Sequence, residues 1–505
     1  MDRRDFLRSA ALSAGTLAVT RQLPMLSPVA PSAPAPHVAG PLYLPPTVSP
    51  DGLVLTARAT TAEIAPGVRS PVMTLGDGPI APTIRARTGD RARITLRNAL
   101  DEPTILHWHG LRPPEKDDGH PRLAIAPGAE YRYDFVLDEP AGTYWYHPHP
   151  HMRTAAQVHL GMAGFLVITD RDEQALSLPD GDHELCLALQ DKRPDPNGHI
   201  AYNVTMGHDM MEGLLGSAAY VNGVRQPSVE VDASLYRVRV LGAGSARIFR
   251  LGLSNGRPLT LIGTDGGLLD APVSLPHLDL STGERADLLL DFSGLAVGTR
   301  VMLTSLPFDA PYRGMGGMGM GGMGRGRMGG MGGGGVIPNG GAMDLLEFVV
   351  TRTSRASARV PVRLATLPPV DTSAISTTRT FRFRSAMMQH TINGAMFDME
   401  RIDVTVPFGA TERWTFVNEG PFPHPVHMHA VRFRVLERVG GRNQLFPWER
   451  GWKDTVLVYP GESVSVMATF DRHAGRFLMH CHNLEHEDHG MMLNFAVTNP
   501  ADARG

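Results

Sequence analysis

Near its C-terminus the chain reads HCHNLEHEDHGMM, residues 480–492, and Cys481, one of only two cysteines, stands directly between His480 and His482. Three more histidine clusters occur: HWHG with His107 and His109, HPH with His147 and His149, and HPVHMH with His424, His427 and His429. On a β-strand, residues i and i+2 point to the same face, so an H-x-H pair presents two imidazoles side by side, as a metal site requires. One such pair is a common surface accident. Four, at matching places in two similar segments, call for a shared chemistry.

The donor types say which chemistry. A thiolate, two imidazoles and a distant thioether form the trigonal set of an electron-transfer blue copper with a weak axial methionine. With the H-x-H pairs set aside, His424 and His486 are left for Cys481, with Met491 as axial sulfur and Met492 as the alternative. Cys481 points away from its two neighbours on a strand, so it serves one metal while His480 and His482 serve two others. The pairs His107/His109, His147/His149, His427/His429 and His480/His482 supply eight imidazoles, which suits three metals holding two, three and three. Such a cluster draws on both ends of the chain and belongs between them.

The elements that must position these residues are strands. Runs such as ARITLRN, YRYDFVL, GFLVITD, LYRVRVLG, ADLLLDF and SVSVMATF are alternating or β-rich, are punctuated by Gly, Pro and Asp, and are not accompanied by long helical periodicity. The fold class is all-β, of sandwich type. The two ends repeat each other: strand, His cluster, PG turn, strand, AG turn, aromatic strand, His cluster. A middle copy (YVNGVRQPSVEV, STGERADLLLDFS, GTRVMLTSL) keeps the strands and lacks the histidines. Three sandwich domains are expected over 41–172, 182–352 and 375–500, with VPVRLATLPPVDTSAIS as the last linker. Within the second, a Met/Gly-rich loop over 312–342 reads as a flexible insertion. Its Met315, Met318, Met320, Met323, Met328 and Met331 are soft ligands suited to Cu(I).

Composition narrows the remaining choices. Hydrophobic content of 42% with 20% charge is ordinary for globular chains, and a net charge of -3 gives no reason to expect nucleic acid or an anionic membrane. No apolar run approaches the ~20 residues of a membrane span. Arg3-Arg4 followed by Phe6-Leu7 and an Ala/Leu/Gly/Thr stretch resembles a twin-arginine export signal, and residues 1–40 read as that signal plus a disordered lead-in. A periplasmic or secreted bacterial protein is therefore expected. One disulfide is arithmetically possible, but Cys186 in HELCLALQ reads as a small buried hydrophobe.

The four motifs, their order, and GWKDT at 451–455 resemble the multicopper oxidases, the three-domain family of laccases and bacterial cuprous oxidases. The resemblance spans essentially the whole chain beyond the leader. It implies cupredoxin-like Greek-key β-sandwich domains and four copper ions. His424, Cys481, His486 and Met491 would hold the type 1 ion, and His107 and His427 the type 2 ion. His109, His147, His149, His429, His480 and His482 would hold the type 3 pair. The activity implied is one-electron oxidation at type 1 copper, coupled to four-electron reduction of O2 to water. Glu487 and Asp118 stand where the family places its proton-relay acids. His151 is a slipped alternative to His147, while His489, His159 and His120 read as supporting or exposed residues.

The partners implied are O2 and either small phenols and aromatic amines or Cu(I), for a monomer. The methionine loop and leader favour Cu(I) oxidation for copper tolerance. Against it, Gly420 and Phe422 occupy places where the copper-handling oxidases carry an acid and a methionine, although Glu419 stands nearby. A passive copper sink would not need a three-metal arrangement, and the intact Cys481 and histidines argue against a copper-free structural role.

Overall fold

The computed structural model describes residues 39–205, 207–310, 335–354, 359–386 and 388–499. Residues 1–38, which carry the stretch resembling a twin-arginine signal, and the methionines expected in a Met/Gly-rich loop, Met315 to Met331, lie outside the described residues. Among the described residues the strands form six sheets, two each from residues 47–169, 184–353 and 375–498. The protein is all-β and cupredoxin-like.

Local sequence explains most strands directly. Arg91–Asn98 and Thr411–Asn418 bury every second residue, so Ile94 and Leu96, or Trp414 and Phe416, face a core while polar neighbours face water. Gly142–Pro148 breaks that alternation and is buried throughout. Its second face is covered because Trp145 packs with Ile80 and Phe165 against Ala188, Leu241 and Ala243 of the next sandwich.

The internal repeat appears as matched strand pairs. Leu106–His109 lies antiparallel to Gly142–Pro148 with His107 opposite His147, and His424–Met428 lies antiparallel to Gly475–Cys481 with His427 opposite His480. In each sheet the strand beyond is the equivalent one, Gly164–Thr169 or Met492–Thr498. Hydrogen-bonded register thus sets one histidine pair beside another within each sandwich.

Helices are short: α1 (Thr154–His159), α2 (Arg171–Ala175), α3 (His208–Glu212) and α4 (Leu484–Asp488). None is long enough to be stable alone, so packing holds them. Ala155 and Val158 of α1 pack on Leu484 of α4. The Asp488 carboxylate accepts the N–H groups of Thr154 and Ala155, satisfying donors that the first turn of α1 leaves unpaired.

Two details differ from expectation. Pro41 and Leu42, placed at the start of the first sandwich, pair with Ser228 of the middle one. Cys186 is partly rather than fully buried, and both cysteines are free, so the arithmetically possible disulfide does not form.

Candidate metal centre

Strand alternation and the register just described bring the histidines into three compact groups of donor atoms: His109, His147 and His482; His149, His429 and His480; and His107, His427 and His109. The closest nitrogen pairs are 3.3 Å for His107–His427, 3.4 Å for His109–His147, 3.4 Å for His149–His480 and 3.1 Å for His429–His480. All eight rings are buried. The four clusters, read from opposite ends of the sequence, meet.

Hydrogen bonds outside the group set the tautomers. Nδ1 of His107 lies 2.7 Å from the Asp118 carbonyl oxygen, that of His147 is 2.8 Å from the Pro148 carbonyl, and that of His427 is 2.9 Å from the Asp454 carbonyl. A carbonyl only accepts, so each Nδ1 carries the proton and each Nε2 keeps its lone pair toward the other rings. His109 is reversed: its Nε2 contacts Asp454 Oδ1 at 3.1 Å, leaving Nδ1 facing His147. Burial, then mutual repulsion with neighbouring imidazoles, holds His147, His149, His429, His480 and His482 well below the usual histidine range. Lone pairs of neutral rings crowded this closely suit a bound cation. Both nitrogens of His482 also lack any protein partner.

On the other side of the same strand, Cys481 Sγ lies 3.4 Å from His424 Nδ1 and 3.6 Å from His486 Nδ1, and those nitrogens are 3.2 Å apart. Burial pushes the thiol well above its ordinary value, so a thiolate here needs a cation beside it. Met491 is buried in the same apolar cluster as Cys481, whereas Met492 is the strand partner of His480 and shares its side of the sheet. That contrast favours Met491 as the sulfur facing Cys481. The donor chemistry of both groups fits copper, with a soft thiolate and thioether in one and imidazoles alone in the other.

Two carboxylates border the larger group. Glu487 reaches His149 Nε2 at 3.5 Å and His480 Nδ1 at 3.3 Å. Burial, then the nearby Asp488, raises it well above the ordinary carboxylate range. Asp118 Oδ2 contacts His429 Nδ1 at 2.8 Å.

The middle sandwich, without a histidine pair of its own, supplies the rest of the frame. Burial alone would raise Asp454, but the Arg285 guanidinium outweighs it and holds the carboxyl well below its usual range, ready to accept from His109. Thr282 donates to the His482 carbonyl oxygen. Gly283, at φ +82°, leaves room that any side chain would fill: a Cβ there would sit 2.9 Å from His482 Cδ2 and 3.2 Å from His109 Cε1. Asp454 lies in GWKDT, and Gly283 and Arg285 in STGERAD, but no local pattern of residues marks them as part of the site. His390, also unforeseen, stacks on His486 at 4.3 Å between ring centroids.

The remaining histidines stay outside. His151 is exposed and packs on Phe397 rather than replacing His147. His120 Nε2 donates to Asn494 Oδ1 at 2.7 Å, His489 contacts the Glu485 carbonyl, and His159 packs near Tyr202. Glu419 is paired with Arg382. No helix among the described residues is long and apolar enough to cross a membrane.

A cupredoxin-like fold with a cysteine–histidine site backed by paired histidines defines a class of copper-dependent oxidoreductases. The chain belongs to the multicopper oxidase family: family models described as multicopper oxidase match residues 56–173 and 364–501. It is 30% identical to the multicopper oxidase mco of Staphylococcus haemolyticus over 83% of this chain and 82% of that one. The McoA multicopper oxidase of Aquifex aeolicus superposes with a TM-score of 0.81 at 32% identity, covering 91% of this chain and all of that one. A laccase-like multicopper oxidase, CueO, from Ochrobactrum sp., described as active towards lignin model compounds, superposes with a TM-score of 0.79 at 32% identity, covering 91% and 100%.

Proposed function

We propose that this protein is a laccase-like oxidase of phenols and aromatic amines holding four copper ions. His424, Cys481, His486 and Met491 hold the type 1 ion, and His107 and His427 the type 2 ion. His109, His147, His149, His429, His480 and His482 hold the type 3 pair. When bound, these ions would accept electrons singly at the Cys481 site and pass four of them, with four protons, to O2 at the other site, giving two waters.

The observation that carries this reading is the back-to-back placement of Cys481, 3.4 Å from His424, and its neighbour His480, 3.1 Å from His429. Two covalent neighbours thereby belong to two sites, and the backbone links them. The chain's own groups supply the rest. Carbonyl oxygens at Asp118, Pro148 and Asp454 orient the rings. Glu487, buried and with its carboxyl pushed well above the usual range, stands beside His149 and His480 as the proton donor. Asp118 holds His429 in place. The leader supports periplasmic or secreted placement by the twin-arginine route, and a monomer suffices because every ligand comes from one chain.

A second reading, oxidation of Cu(I), draws support from the enclosure of His486. That ring is buried, and its Nε2 is bonded to the carbonyl of Met211 rather than open to an aromatic substrate. Oxygen uptake by the copper-loaded chain with a methoxyphenol and with a Cu(I) complex separates the two. Uptake with phenol supports the first reading, uptake with Cu(I) alone supports the second, and full copper loading with no uptake refutes both.

A further inference from the structure

Every side of the His486 imidazole is covered. Nδ1 faces Cys481 and His424, His390 stacks on the ring with an interplanar angle of 25°, and Nε2 donates to the Met211 carbonyl oxygen at 2.9 Å. Met211 lies on α3, a helix of the middle sandwich that contributes no ligand. Three contacts fasten α3 there. His390 Nε2 donates to the Met210 carbonyl at 2.8 Å, and Asn483 Nδ2 donates to the Glu212 carbonyl at 2.9 Å. The Arg193 guanidinium grips both oxygens of Asp209 at 2.6 and 2.7 Å, and Asp209 also accepts the Thr205 N–H.

Glycines bound the segment on both sides. Gly207 has φ +100° and Gly213 φ +95°, conformations other residues rarely adopt. A Cβ at Gly207 would meet nothing within 4 Å, whereas at Gly213 it would meet Ala246 at 2.3 Å. One end therefore turns in open space and the other is seated against the protein.

We infer that α3 is a specificity-determining cap: it selects the electron donor by covering the His486 edge, with Arg193–Asp209 as its latch. This rests on the type 1 assignment above. A small outer-sphere reductant delivers its electron across the α3 backbone and the Met211–His486 hydrogen bond. A bulky aromatic donor requires contact with the imidazole edge and reacts only when α3 has moved aside. Each donor loses one electron to the type 1 ion in either case.

The test uses the full copper-loaded chain and its R193Q variant. Anaerobic bleaching of the blue thiolate–copper band is timed with hexaammineruthenium(II) and with syringaldazine, a two-ring phenol, and amide exchange of 207–214 is measured alongside. In R193Q the phenol should bleach the band about fivefold faster, on the scale one half-buried ion pair shifts an opening equilibrium, with the ruthenium rate unchanged and exchange faster. His390→Phe, which keeps a ring on His486 and removes the hydrogen bonds to the Met210 carbonyl and the Ser385 hydroxyl, should act in the same direction if R193Q does not fold. Faster exchange with an unchanged phenol rate, or equal effects on both donors, overturns the cap. Because bleaching needs no O2, its donor dependence judges the cap even if oxygen uptake refutes the oxidase reading. Absence of the blue band with copper bound overturns the type 1 assignment and the cap together.

Discussion

Asp454 and His109 stand 345 positions apart in sequence, yet Oδ1 of one lies 3.1 Å from Nε2 of the other. This contact turns His109 so that Nδ1, not Nε2, faces the paired histidines. It also joins both sandwiches that carry histidines to the middle one, through Arg285.

Asp454→Asn removes the charged acceptor and leaves the buried Arg285 with Asp265 as its remaining carboxylate neighbour. Loss of such an orienting group costs about 10- to 100-fold in metal affinity. The expected result is copper lost from the paired-histidine site with the blue band retained. Metal analysis of the dialysed protein beside its visible spectrum tests this, and loss of both together would mean that Asp454 supports the fold rather than the ring.

Cys481→Ser replaces the soft thiolate with a hydroxyl of similar size. The blue band should disappear, three copper ions should stay bound, and oxygen uptake should fall below detection. Retention of the band would contradict the assignment of Cys481.

Glu487→Gln keeps the shape beside His149 and His480 and removes the proton. Oxygen consumption should slow about 100-fold, the low end of the range for a positioned proton donor. Anaerobic bleaching of the blue band should be unchanged, because Glu487 is not on the donor's path. Equal slowing of both steps would show a structural role instead.

Lys192 tests burial away from the metal centre. Desolvation lowers its pKa to about 7 in the folded chain, against about 10.4 for an unperturbed lysine. Between these values the unfolded chain binds the extra proton, so stability rises with pH, by at most about 1.4 kcal/mol per unit from this group. Below pH 7 both states are protonated and the burial penalty is full. Lys192→Met should flatten the gradient between pH 7 and 10 in denaturant titrations. An unchanged gradient would show that Lys192 gains a compensating partner.

Much of the candidate site was legible because its histidines and cysteine come in local patterns. H-x-H needs only the two-residue period of a strand, and the opposition of Cys481 to His480 and His482 follows from the same period. Spacing from Cys481 already put Met491 ahead of Met492 but gave no structural reason to set the alternative aside. That reason is the register that pairs Met492 with His480. Gly142–Pro148 could not be read as fully buried either, because the Ala188–Leu241 surface that covers it lies in another sandwich.

By itself the sequence determined the all-β class, the repeat of its two ends, and the donor types that point to copper, because these depend on residue chemistry and on periods of a few residues. Only the tertiary structure decided which nitrogen of His109 faces the other rings, that Arg285 and Gly283 of the histidine-poor middle segment frame the site, and that α3 covers His486. Those facts depend on side chains hundreds of residues apart meeting at one place, and spacing along a chain carries no record of such a meeting.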